Sequence, residues 1–147
     1  MRGVAPDISN VRTVEIDEEA LGFLFAYARG AFPREAIVAL RGKVTGDGQV
    51  EVQEAVVPMV RTEGHHFSTW SFAGVADSRM VGIGHSHPSG VLIPSDEDLR
   101  NFAGKVMLIV GPPFDSVTCA RFFDRRGEEL SFSVKWRGLS HEFRFDE

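Results

Sequence analysis

The stretch Gly84-His85-Ser86-His87-Pro88-Ser89-Gly90-Val91-Leu92-Ile93-Pro94-Ser95-Asp96-Glu97-Asp98 constrains this chain more than any other. Val81 and Ile83 alternate with Gly82 and Gly84, the period of a strand, and extending that period sets His85 and His87 on the face of Val81 and Ile83. Alternate strand residues lie roughly 6.5 to 7 Å apart at Cα, so two imidazoles on one face can converge on one ion. Pro88 then ends the strand. Pro94 and Ser95 begin a second element, and Asp96, Glu97 and Asp98 place three acids in the first turn of an expected helix. Such a helix can aim a carboxylate back at the histidines. Two His and one Asp are three ligands, and a tetrahedral zinc held by three protein ligands keeps a fourth position for water, the pattern of a catalytic site.

Packing offers a competing account of part of this stretch. Ser95-x-x-Asp98 has the spacing of a helix-capping box, which by itself explains both residues. Two histidines on one face at a strand end, followed by a Pro and Gly turn and an Asp, are harder to derive from packing, because buried histidines need partners. Together the residues favour a metal.

The remaining sequence sets the frame. A chain of 147 residues is one domain's worth, and 43% apolar with 25% charged residues is the composition of a globular protein. The single domain is expected to have its core at about 14–136, an N-terminal arm at 1–13 and a C-terminal tail at 137–147. A formal charge of −5 argues against a nucleic-acid partner bound through clustered Lys and Arg. Cys119 is the only cysteine, so neither an intrachain disulfide nor a thiolate-rich zinc site can form, and a cytoplasmic setting follows. No signal peptide is evident and no apolar run approaches the ~20 residues that span a bilayer, so no membrane role is expected.

Asp17 can cap a helix that carries Leu21, Leu24, Phe25 and Ala28 on one face, with Gly30 near its end. Glu35 stands at the entrance of Ala36-Ile37-Val38-Ala39-Leu40, a strand buried on both faces; periodicity leaves open whether this carboxylate is solvated or leans into a cleft. Residues 42–48 read as a hairpin turn, 49–57 as a strand and 65–72 as another. His65 and His66 are adjacent, would point apart in a strand, and read as surface residues. Leu99, Phe102 and Ala103 continue the helix begun at Ser95 as far as Gly104. Val106–Val110, 116–123 and 129–136 complete the strands, and Cys119 reads as a small buried apolar residue. The class is α+β, a mostly antiparallel or mixed sheet with one helix before it and another packed against it.

Glu35, His85-Ser86-His87-Pro88, Pro94-Ser95 and Asp98, with ten residues between His87 and Asp98, give the chain its resemblance to the JAMM (MPN+) metallopeptidases. It covers roughly Pro33 to Val134. The resemblance implies a cytidine-deaminase-like MPN/JAMM fold, a central mixed sheet flanked by helices. It implies one Zn2+ per chain on His85, His87 and Asp98, Glu35 as general base and Ser95 as hydrogen-bond donor to the oxyanion. Bonds cut by the family follow the Gly-Gly tail of ubiquitin-like modifiers, and other members process sulfur-carrier proteins of the same fold. Such a tail would suit strand addition at a sheet edge beside the metal, with Val91, Leu92, Trp70 and Phe72 lining its channel.

This chain departs from the family in two respects. It lacks the Cys and His insertion that gives some eukaryotic relatives a second zinc, and Arg41-Gly42 stands where many members have a glycine-rich strand end. Its compact length looks like prokaryotic, particularly archaeal, members, and His-Pro-Ser-Gly is also similar to the RadC-like branch. Three other readings stay open: a non-catalytic MPN-type scaffold, a RadC-like MPN+ protein, and non-haem iron chemistry on a two-His, one-carboxylate triad. Neither the modifier nor the oligomeric state, a homodimer among the options, is set by the sequence.

Overall fold

Polar and apolar residues alternate in Thr-Val-Glu-Ile-Asp, and this makes a strand before the first helix begins. In the computed structural model, which describes residues 10–58 and 78–136, β1 (Thr13–Asp17) buries Val14 and Ile16 and turns Thr13 to solvent. Val11, just ahead of this strand, is also buried in the core. Asp17 is the N-cap residue of α1 (Glu18–Ala31), whose first turn holds Glu18 and Glu19 against the positive end of the helix dipole. Ala20, Leu21, Leu24, Phe25 and Ala28 form its buried stripe. Burying a side chain such as Leu24 contributes about 1.5 to 3 kcal/mol.

The strands that follow are β2 (Ile37–Val44), β3 (Gln49–Val56), β4 (Met80–Ser86), β5 (Val106–Val110), β6 (Ala120–Phe123) and β7 (Glu129–Lys135), with the short helix α2 (Asp96–Arg100) between β4 and β5. Their order is β1-β3-β2-β4-β5-β6-β7, and a parallel β1–β7 pairing closes the sheet into a barrel. Pairs β1–β3 and β4–β5 are also parallel and the rest antiparallel, so the sheet is mixed as expected.

Several boundaries differ from the sequence reading. Strand β2 runs past Arg41 and Gly42 to Val44 instead of turning at Gly42. The β2–β3 register shifts between Arg41 and Gly42, and a Cβ on Gly42 would lie 1.7 Å from the Glu51 carbonyl oxygen, so only glycine fits. The span 116–123 opens as one 3-10 turn (Val117–Cys119) before β6. Helix α2 stops at Arg100, with Asn101 as its C-cap, and does not reach Gly104. The expected strand at 65–72 and the tail from 137 lie outside the described residues. Cys119 is buried, its thiol donating to Asp115 Oδ1 at 3.6 Å.

Two apolar clusters sandwich the centre of the sheet. The larger joins α1 through Leu24 and Ala28 to Val38, Leu40, Val50, Val52, Leu108, Val110 and Phe122. The smaller sets Ile83, Met107, Ile109 and Phe123 beneath Leu92, Phe102 and Ala103. Strand β5 is thus covered on both faces, which is why Val106–Val110 has no polar alternate. Val81 joins the larger cluster and not the face of Ile83. Leu40 pairs with Gly82 and Arg41 with Met80, which leaves Val81 as the extra residue of a bulge and breaks the alternation upstream of the histidines. Among the described residues, no helix is long and apolar enough to cross a membrane.

Candidate metal centre

His85 is the penultimate residue of β4, flanked in the sheet by Ile37 of β2 and Ile109 of β5, and it is fully buried. His87 lies one residue past the strand, where its N–H still reaches the Val110 carbonyl at 2.8 Å and holds it to β5. The two rings therefore leave the same end of the sheet, 5.0 Å apart between centroids. Glu35, two residues ahead of β2, brings Oε2 to 3.2 Å from His85 Nδ1 and 4.0 Å from His87 Nε2.

Asp98 comes from the opposite side. Pro94 and Ser95 start α2, and Ser95 Oγ accepts the Asp98 N–H at 3.0 Å while Asp98 Oδ2 accepts the Ser95 N–H at 2.8 Å, a complete capping box. Such a cap contributes about 1 kcal/mol. It also fixes the Asp98 carboxylate, 3% exposed, with Oδ1 at 3.6 Å from His85 Nε2 and Oδ2 at 3.2 Å from His87 Nε2. The capping and metal accounts of Ser95 and Asp98 are compatible, because one carboxylate does both.

The protonation pattern tests whether a cation fits. The Val91 carbonyl, which can only accept, sits 2.7 Å from His87 Nδ1 and so commits the ring proton to that nitrogen. Neutral His87 then turns a bare Nε2 toward Asp98 Oδ2, two acceptors at 3.2 Å that need a proton or a cation between them. Zinc bonds of about 2.1 Å at the tetrahedral angle would put donor atoms about 3.4 Å apart. The observed 3.2 and 3.6 Å from Asp98 to the two imidazoles straddle that value. One ligand-type atom each from Glu35, His85 and His87 also falls within 4.8 Å of the others. The residues fit a small divalent cation. The same surroundings favour a proton on the ring: burial works against charge on His87, but its hydrogen bonds to Asp98 and Val91 and the charges of Asp98 and Glu35 raise its pKa overall. Asp98 shows the converse, for burial is outweighed by His87, His85 and the Ser95 N–H, and its pKa falls to about 2.

The loop from Ser89 to Pro94 is divided in its contacts. Leu92 packs on the smaller core cluster, whereas Val91 and Ile93 are 55% and 61% exposed beside the centre. Trp70, Phe72, His65 and His66 lie outside the described residues. Strand addition at an edge beside the metal meets an obstacle, since β4 is already paired with β2 on one side and β5 on the other. Among the described residues, the strand bearing His85 has no free edge. Two contributors escaped the sequence reading. Ser86 is fully buried and bonds to Ala36; strand alternation, which turns it away from the histidines onto the core side, was the available signal. The Val91 carbonyl is a main-chain group and has no signature.

Comparison with known proteins gives a consistent result. The family described as prokaryotic homologs of the JAB domain matches residues 17–125. A protein of Haloferax volcanii named a probable metalloprotease is 33% identical over 134 residues, 86% of this chain and 83% of its own length. A JAB1/MPN domain protein from Archaeoglobus fulgidus is similar in structure with TM-score 0.60 and 28% identity, over 82% of this chain and 97% of that one. A structure described as JAMM, a metalloprotease-like zinc site in the proteasome and signalosome, matches with TM-score 0.59 and 25% identity, over 85% and 98%. With Glu35, two histidines and a capped aspartate converging at one end of a mixed sheet, the chain belongs to the JAB family, among the prokaryotic homologs of the JAB domain.

Proposed function

We propose that this protein is a zinc-dependent metallopeptidase that cleaves the bond after the Gly-Gly terminus of a small ubiquitin-like modifier or sulfur-carrier protein in the cytoplasm. The observation that carries the reading is the 3.2 Å approach of His87 Nε2 and Asp98 Oδ2, with the Glu35 carboxylate 4.0 Å from the same nitrogen. His85, His87 and Asp98 would hold the ion. When bound there, zinc supplies Lewis acidity that polarises a carbonyl and makes water acidic near neutral pH.

The chain's own residues supply the remainder. Glu35, a third exposed, takes a proton from the attacking water on Oε2 and returns it to the departing amine. Ser95 Oγ spends a lone pair on the helix cap and keeps its hydroxyl proton, which it donates to the developing oxyanion. Val91 holds the His87 tautomer through its carbonyl and offers its exposed side chain, with Ile93, to the substrate tail. Retention of Glu35 and of all three ligand candidates favours this reading over a non-catalytic scaffold; an iron triad would leave Glu35 and Ser95 idle.

The test is to incubate the zinc-loaded protein with conjugates of small Gly-Gly-tailed modifiers, with and without chelator, and to identify the cleaved bond by mass. Chelator-sensitive cleavage after the second glycine is expected. Intact conjugates with one zinc per chain would leave the scaffold as the better account.

A further inference from the structure

Ser86 lies between the two histidines, and strand alternation turns its side chain the other way, onto the face of the larger core. Its hydroxyl is fully buried. An alanine would pack there without needing a hydrogen-bond partner, so the hydroxyl calls for a reason. Its partner is the main chain at Ala36: Ser86 Oγ accepts the Ala36 N–H at 2.9 Å, and the Ser86 N–H donates to the Ala36 carbonyl at 3.0 Å. The antiparallel register of β2 and β4 has its last pair at Ile37 and His85, and Ala36 and Ser86 come next. A regular pair there would exchange two main-chain bonds. Here a side-chain oxygen replaces one carbonyl, so the chain leaves the ladder at the residue that adjoins Glu35.

We propose that Ser86 is a positioning residue: by gripping both polar groups of Ala36, it sets the point from which Glu35 reaches the His85–His87 pair. This rests on the reading of Glu35 as general base. Ser86 touches neither substrate nor ion, and its effect is expected in turnover, not in binding. A displacement of Glu35 on the order of 1 Å is enough to slow the reaction by up to about 100-fold.

The experiment compares Ser86→Ala, Ser86→Thr, Glu35→Ala and the Glu35→Ala/Ser86→Ala double variant. Ser86→Ala should lower kcat by about 10- to 100-fold with KM within about twofold. Zinc stoichiometry and the visible spectrum of the cobalt-substituted protein should be unchanged. Without any metal, amide exchange at Ala36 should be protected in the parent, faster in Ser86→Ala and protected again in Ser86→Thr, which should also recover kcat. In the Glu35→Ala background the second substitution should cost nothing further, because Ser86 acts through Glu35. Parental kcat in Ser86→Ala, the same loss with or without Glu35, or an unprotected Ala36 amide in the parent would each overturn the proposal. The last of these is readable even if Ser86→Ala fails to fold. Parental turnover in Glu35→Ala would instead remove the general-base reading, and this inference with it.

Discussion

The main-chain carbonyl of Val91 accepts the Nδ1 proton of His87 at 2.7 Å, and so decides which ring nitrogen faces Asp98. A loop with exposed side chains thereby sets the tautomer of a half-buried imidazole. In metal proteins such an acceptor behind a histidine fixes the tautomer and raises ligand basicity.

Without metal, the His87–Asp98 pair should give the protein a stability maximum in mildly acidic solution. His87 has its pKa raised from 6.5 in the folded state, so its contribution is complete below about pH 6.5 and disappears as pH rises through the raised value. Asp98 falls from 3.8 to about 2, so its contribution is present above 3.8 and disappears as pH drops through about 2. Melting temperatures of chelator-treated protein should peak between roughly pH 4 and 6.5. Asp98→Asn, which keeps an oxygen for the Ser95 N–H, should flatten that peak.

Glu35→Gln should retain one zinc per chain and lose about 10²- to 10⁴-fold in kcat, the usual worth of a positioned acid-base group. His87→Ala should lose zinc and turnover together. Metal analysis beside steady-state kinetics checks both, and equal turnover in Glu35→Gln would exclude the assigned proton transfer.

Ser95 caps α2, and the oxyanion role proposed for it can be separated from that cap by substitution. Ser95→Asp can still accept the Asp98 N–H as a cap but has no proton to give, so its melting temperature should stay near the parent's while kcat falls about 10²-fold. Ser95→Ala should lose both. Full activity in Ser95→Asp would reduce this residue to a helix cap.

Val91→Asp should raise KM for a Gly-Gly-tailed substrate with little change in melting temperature, because the side chain is 55% exposed and the His87 contact uses only the main chain. Leu92→Asp is a poorer probe, since Leu92 packs on the smaller core cluster and its loss would confuse folding with binding.

Gly82→Ala should be among the most damaging substitutions outside the centre. A Cβ there would meet the Val106 carbonyl oxygen at 2.0 Å, a backbone contact that no rotamer can relieve. A loss of about 3 kcal/mol or more is expected from such forced overpacking, measurable by denaturant unfolding.

Much of the protein was legible because periodicity is local. The stripe on α1, the unbroken apolar run of β5, the alternation of His85 and His87, and Ser95 with Asp98 at capping distance all follow from residues a few positions apart. Strand β1 carried the same signal, two buried apolar residues between polar ones, but it was hidden next to an irregular start. The boundaries that moved did so where distant backbone intervenes: Gly42 is held in β2 by the approach of Glu51, and the bulge at Val81 is defined against Leu40 and Arg41.

The sequence alone determined the candidate ligand types, their spacing and the helix cap, because these are set by covalent geometry and side-chain chemistry within one segment. Only the tertiary structure decided that Glu35, fifty residues away, stands at 3.2 Å from His85, that Ser86 clamps its neighbour Ala36, and that β4 has both edges paired. Those depend on which strands lie side by side, and strand order is settled by burying all the apolar faces at once, not by any stretch read singly.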